Sequence, residues 1–102
     1  MLKLVDGCLA CPQCEDIHTH VDDVFVAGRP REDGSVVPVH VDSAGRVFEG
    51  TQVALPEKPQ RRHLFTLTGF CEDCGSHFAI SFEQHKGSTL VRSLEPEWKP
   101  IN

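Results

Sequence analysis

The 102-residue sequence has no segment in which apolar residues recur at i, i+3, i+4 and i+7 over three turns, so amphipathic helices are not expected. It has no run of about 18 apolar residues, so no membrane-spanning helix is expected. The opening stretch, MLKLVDGCLACPQC, carries neither the apolar core nor the cleavage site of a secretory signal. The expected location is therefore the cytoplasm, where closely spaced cysteines are more often metal ligands than disulfides. The five cysteines agree, because a disulfide framework would normally use an even number. Glycine-rich phosphate loops, P-loops and a Ser-His-Asp order are all missing, as are low-complexity stretches and repeats beyond the cysteine pairs.

Positive charge is also scarce. Ten Lys and Arg stand against fifteen Asp and Glu, for a net charge of −5. A protein that coats duplex DNA neutralises phosphates with Lys and Arg, so this balance points to a protein partner instead. The charge is uneven. Residues 1–57 hold ten acids and four bases, net −6, whereas residues 58–102 hold six bases and five acids, net +1. A chain of this length is expected to form one domain over 1–102, and one small enough for a metal to act as a staple.

What is present is alternation. β-branched and aromatic runs mark strands at 18–28, 35–41, 46–55, 63–70, 77–83 and 88–94. In the third of these, Val47, Val53 and Leu55 would share a face. In the fifth, Phe78, Ile80 and Phe82 alternate most regularly. Pro38 suggests an edge strand, since it cannot donate to a ladder. DSAG (42–45) and QHKG (84–87) read as hairpin loops, with Gly45 and Gly87 in left-handed positions. GRPREDG (28–34) is a charged loop, PEKPQRR (56–62) a proline-marked linker and 95–102 an irregular tail. The expected fold is all-β, with about six antiparallel strands.

Cys11-x2-Cys14 and Cys71-x2-Cys74 are two turns of the kind that supply zinc with four tetrahedral ligands. Fifty-six residues separate them, enough for a β-hairpin insertion between two knuckles of a zinc ribbon. One structural Zn2+ is the expected cofactor. Cys8 could also pair with Cys11 by spacing. Pro12 would then follow the second cysteine, where a left-handed residue is favoured and proline cannot go. Cys8 is therefore the spare. Gly75 suits that position in the second knuckle; Glu15 fills it in the first.

HTHVDD (18–23) resembles the H-x-H-x-D-H motif of metallo-β-lactamase-type hydrolases in His18, His20 and Asp22, with Asp23 in place of the last histidine. That family needs helices this chain lacks and a fold about twice as long. His18 and His20 remain candidates for a second metal. A closed four-cysteine site has no open position for activating water, so no catalytic residue is assigned and a non-enzyme is expected.

With Cys11-Pro12-Gln13-Cys14, Arg61-Arg62, Cys71-Glu72-Asp73-Cys74 and Gln84-His85-Lys86-Gly87 in place, the chain resembles a group of small uncharacterised zinc-ribbon proteins of bacteriophages and prophages. The resemblance implies a zinc-binding accessory protein in the host cytoplasm, with no settled activity. Arg61, Arg62, His85 and Lys86 are the candidate partner contacts. They would serve a protein partner or, as the alternative, nucleic acid. The plainer role of Arg61 and Arg62 is pairing with Glu72, Glu83 or the acidic first half, and that of His85 and Lys86 is solvation of a hairpin turn. Phe78 and Phe82 are candidate base-stacking residues or simply core, and Trp98 a candidate docking residue.

Overall fold

The computed structural model describes residues 2–29, 34–57, 59 and 62–94. Lys58, Arg61 and the tail with Trp98 lie outside these residues, as do the centre of the 28–34 loop and part of the 56–62 linker. The described chain is all-β and antiparallel, with eight strands and no helix among the described residues. Two very short strands, β1 (Leu4–Val5) and β2 (Cys8–Leu9), pair with each other. The other six are β3 (Thr19–Gly28), β4 (Val37–Val41), β5 (Val47–Glu49), β6 (Leu64–Cys71), β7 (His77–His85) and β8 (Ser88–Leu94). They form one sheet in the order β5-β4-β3-β6-β7-β8.

These six match the six expected segments, with one large correction. The third segment does not run to Leu55. β5 ends at Glu49 because Gly50 turns the chain at a φ of 88°, and the Val53 N–H then donates to the Gly50 carbonyl at 3.0 Å. Val53 is buried, as its apolar character demands, but from a turn and not from a strand. The β1–β2 pair was not expected. Its two-residue turn, Asp6-Gly7, has positive φ at both positions (50° and 80°), the geometry for which Asp-Gly is a favoured pair.

Pro38 lies on β4, which has neighbours on both sides and is not an edge strand. The Pro38 carbonyl accepts from the Gly50 N–H at 3.2 Å, so this residue's missing N–H also faces the β5 side. The β4–β5 ladder stops at Val39↔Glu49. The proline therefore sits one step beyond the last rung that would need a donor.

Cross-strand register sorts the side chains into two faces. One carries Phe25, Ala27, Leu64, Thr66, Thr68, Ala79, Ser81 and Glu83, all buried. Arg92 lies on this face, bonding Glu83 at 3.1 Å and Glu57 of the segment after β5 at 2.6 Å. That ion pair draws the post-β5 segment against the face and satisfies a carboxylate that would otherwise be buried alone. The other face carries Phe78 and Ile80, both buried, with half-buried Phe65, Leu67, Phe82 and Val91. It continues onto β3–β5 as Val24, Val26, Val37, Val39, Val41 and Val47. Val26, Val37 and Val47 are exposed.

A bulge interrupts β3. Val21 pairs with Gly69 and Asp23 with Thr68, leaving Asp22 as the extra residue. Gly69 is required here, because a Cβ would run into the His20 carbonyl and lie 2.9 Å from the Phe78 ring.

Candidate metal centre

Each Cys-x2-Cys segment folds into the same tight turn. The Glu15 N–H donates to the Cys11 carbonyl at 2.9 Å, and the Gly75 N–H to the Cys71 carbonyl at 3.0 Å. The Cys11 N–H reaches the Asp16 carbonyl at 2.8 Å, and the Cys71 N–H the Ser76 carbonyl at 3.0 Å. In both turns the residue after the second cysteine is left-handed, Glu15 at φ 66° and Gly75 at φ 72°. The expectation from spacing holds for Gly75, and Glu15 takes up the same conformation despite its Cβ. Its carboxylate is held by Lys3 at 2.7 Å, which keeps Glu15 below the usual carboxylate range.

The two turns meet face to face. The start of β3 lies between them: Thr19 pairs with Cys71, the Thr19 hydroxyl donates to the Leu9 carbonyl at 3.0 Å, and the Glu72 N–H donates to the His18 carbonyl at 2.9 Å. The Sγ atoms of Cys11, Cys14, Cys71 and Cys74 all lie within 4.8 Å of one another. Cys11 to Cys74 is 3.7 Å and Cys14 to Cys71 is 3.6 Å. A tetrahedron with arms of about 2.3 Å has edges of about 3.8 Å, whereas disulfide sulfurs stand about 2.05 Å apart. The geometry is thus that of four ligands around one metal ion. The first cysteine of each turn is buried and the second is exposed. The Gln13 N–H donates to Cys11 Sγ at 3.3 Å, as expected where backbone donors turn toward a thiolate.

The thiols are not equivalent. The Ser76 hydroxyl and N–H donate to Cys74 and lower it to about 6. An N–H from Asp16 acts the same way on Cys14, but loss of solvent and the sulfurs of Cys71, Cys74 and Cys11 outweigh it and push Cys14 up to about 12. The Ser76 donors thus favour a thiolate at Cys74, whereas the crowding of sulfurs favours a proton at Cys14 that a bound cation would displace.

Cys8 stays outside the cluster. It is exposed on β2, with its Sγ 3.9 Å from the Asp6 carbonyl. The placement of Pro12 identifies the right pair.

The HTHVDD residues do not converge. His18 contacts Asp16 at 3.0 Å, while His20 contacts Glu72 at 2.7 Å and stacks on Phe70. The bulge shifts the alternation, so Asp23, not Asp22, follows His20 on the face of Phe70 and Thr68. Asp23 bonds His40 at 3.1 Å and its N–H is held by the Thr68 hydroxyl at 3.2 Å. Among the described residues, the four cysteines form the one group of three or more His, Cys, Asp or Glu side chains placed to hold a metal ion.

Of the candidate partner contacts, Arg62 and Lys86 come together along one groove, which His85 does not line; Arg61 lies outside the described residues. Phe78 is 2% exposed and belongs to the core, so it cannot stack a ligand. Phe65, which the alternation did not single out, is paired with Phe82 in that groove. Cross-strand register, invisible before the strands are aligned, is the signal that finds it.

The chain matches no family model, no curated protein and no solved structure.

Proposed function

We propose that the chain is a non-catalytic accessory protein of the phage zinc-ribbon type, stapled by one structural zinc and acting as an adaptor for a protein partner. The observation that carries this reading is the cysteine tetrahedron. All-sulfur donors favour zinc over hard cations such as magnesium or calcium, and four protein ligands leave no coordination position for a substrate or an activated water. The metal then contributes to the fold and not to a reaction. Cys11, Cys14, Cys71 and Cys74 would hold it and tie the N-terminal β1–β2 unit to the end of β6.

The adaptor role rests on the net charge of −5 and on the valine-rich sheet face, where Val26, Val37 and Val47 are 39%, 50% and 61% exposed. Contiguous apolar surface of this kind is typical of a protein-binding area. Metal titration tests the first part. One equivalent of zinc per chain, lost in Cys71→Ser, is expected; two equivalents would bring back a second site at His18 and His20. Retention of protein partners after nuclease treatment, and their loss in Val26→Glu/Val47→Glu, tests the second. Partners that vanish with nuclease would sink the protein adaptor.

A further inference from the structure

The start of β6 and the β7–β8 hairpin enclose an open groove of about 560 Å3, a size suited to a small organic ligand or one unit of a polymer. Its working residues are Arg62, His63, Phe65, Phe82, Gln84 and Lys86. Phe65 and Phe82 face each other across β6 and β7, with ring centroids 5.4 Å apart and planes tilted by 34°. None of the described residues lining the groove is acidic. This is unusual on a chain with a net charge of −5.

Two further observations concern the cations. The acids that might have neutralised Arg62 are engaged elsewhere, Glu72 with His20 at 2.7 Å and Glu83 with Arg92 at 3.1 Å. Among the described residues, neither Arg62 nor Lys86 has an ion pair or a side-chain hydrogen bond. Lys86 also occupies a costly place. The β7–β8 turn has positive φ at both Lys86 (47°) and Gly87 (81°), the same turn that Asp6-Gly7 makes with a residue suited to it. A long side chain gains nothing locally from a left-handed backbone, which strains most residues that carry a Cβ. An outlier of this kind points to a role for the side chain it presents.

An aromatic pair offering a ring face beside two unpaired cations fits a base next to a phosphate. We propose that the groove binds single-stranded nucleic acid, with a base on the Phe65–Phe82 pair and the adjoining phosphates on Arg62 and Lys86. The strand must be single because a base reaches an aromatic ring only when it is free of its stack. The acid-rich first half of the chain disfavours the long phosphate track of a duplex. His63 adds a donor: its Nδ1 accepts the Arg29 N–H at 2.9 Å, which leaves the ring proton on Nε2. This inference goes beyond the adaptor reading and does not depend on it, since groove and valine-rich area can be altered separately.

The test is fluorescence anisotropy of the zinc-loaded full chain with labelled oligonucleotides of about ten nucleotides, single-stranded DNA and RNA in separate arms. A duplex, inorganic polyphosphate and an acidic peptide serve as competitors. Binding to a single strand should weaken with salt at a logarithmic slope of about −1.4, the value for two phosphates. Arg62→Gln should weaken affinity several-fold and cut the slope by about 0.7. Lys86→Asn should do the same while leaving thermal stability unchanged or higher, because Asn suits a left-handed turn. Phe82→Leu keeps the strand apolar and should cost about tenfold without changing the slope. No binding of either single strand would overturn the proposal, as would affinities untouched by all three substitutions. Polyphosphate competing equally well, with Phe82→Leu silent, would reduce the groove to a charge patch and overturn it. Tighter binding of the acidic peptide would assign the groove to a protein ligand instead.

Discussion

The two cysteine turns have nearly the same backbone and very different sequences. CPQCED and CEDCGS share only the cysteines, yet their hydrogen bonds agree within 0.2 Å and their left-handed residues within 6° of φ. Pro12 and Glu72 occupy equivalent places. Pro12 needs no N–H there, whereas the Glu72 N–H is tied to the His18 carbonyl at the sheet. Glu15 and Gly75 are likewise equivalent, and only Gly75 suits its φ. The comparison teaches that the metal-binding turn is imposed by its sulfurs and inward backbone donors, and that the neighbouring residues are adapted to what each turn packs against.

Breaking the pairing of the turns should have the largest effect. Cys71→Ser removes a buried ligand and should abolish stoichiometric zinc binding. Structural zinc contributes about 10–16 kcal/mol of apparent binding energy, as much as the whole stability of an ordinary small domain, about 5–15 kcal/mol. Circular dichroism and metal analysis should show an unfolded or loosened chain without metal. A cooperative melt at the wild-type temperature would mean that the sheet stands without its clasp.

Acid should act next most strongly, through the same cluster. Cys74, lowered to about 6, contributes stability that is complete above the ordinary thiol range and lost as the pH falls through that value. Cys14, pushed up to about 12, acts with the opposite sign in the metal-free chain, favouring the folded state while it stays protonated. Zinc reverses this by taking every sulfur as a thiolate, so metal-linked stability is present at high pH and lost on acidification. Dialysis at steps from about pH 8 to about pH 5, followed by zinc analysis and melting, should show both falling together. Ser76→Ala removes one donor to Cys74 and should move the loss to higher pH. Asp16→Ala keeps the backbone donor to Cys14 and should move it less.

Much of this was legible in the sequence because the physics is local. Ligand spacing, the exclusion of Cys8 by Pro12 and the turns at Gly45 and Gly87 each depend on a few neighbouring residues. What escaped depends on partners far along the chain. The bulge at Asp22 arises where Gly69 approaches the His20 carbonyl, and nothing within HTHVDD announces it. Phe65 becomes a binding candidate only once β6 is aligned with β7. The β1–β2 turn is different: Asp6-Gly7 is a local signal, but strands of two residues give no alternation to accompany it. The early end of β5 shows a glycine overriding a plausible alternating pattern.

The left-handed positions allow a finer comparison. Gly75→Ala would meet no neighbouring atom within 4 Å, so its cost should be the backbone strain less the freedom lost by the unfolded chain, a net of about 1 kcal/mol. Glu15→Gly should go the other way. It relieves that strain but adds freedom to the unfolded chain and loses the exposed Lys3 contact, so a small net gain is expected. Denaturant melts of the zinc-loaded variants would measure both. Equal effects of the same sign would mean that the two turns are not equivalent in energy, whatever their geometry.

The smallest effect is expected at Cys8, and that near-absence is informative. Its sulfur is exposed and points to the Asp6 carbonyl, away from the four-sulfur cluster. Serine keeps the size and a polar tip, so Cys8→Ser should retain one zinc per chain and melt within about 0.5 kcal/mol of the parent. Zinc loss in this variant would mean that Cys8 exchanges into the site. The first turn would then have to re-form with Pro12 after its second ligand, the place where proline cannot take the left-handed φ that Glu15 adopts.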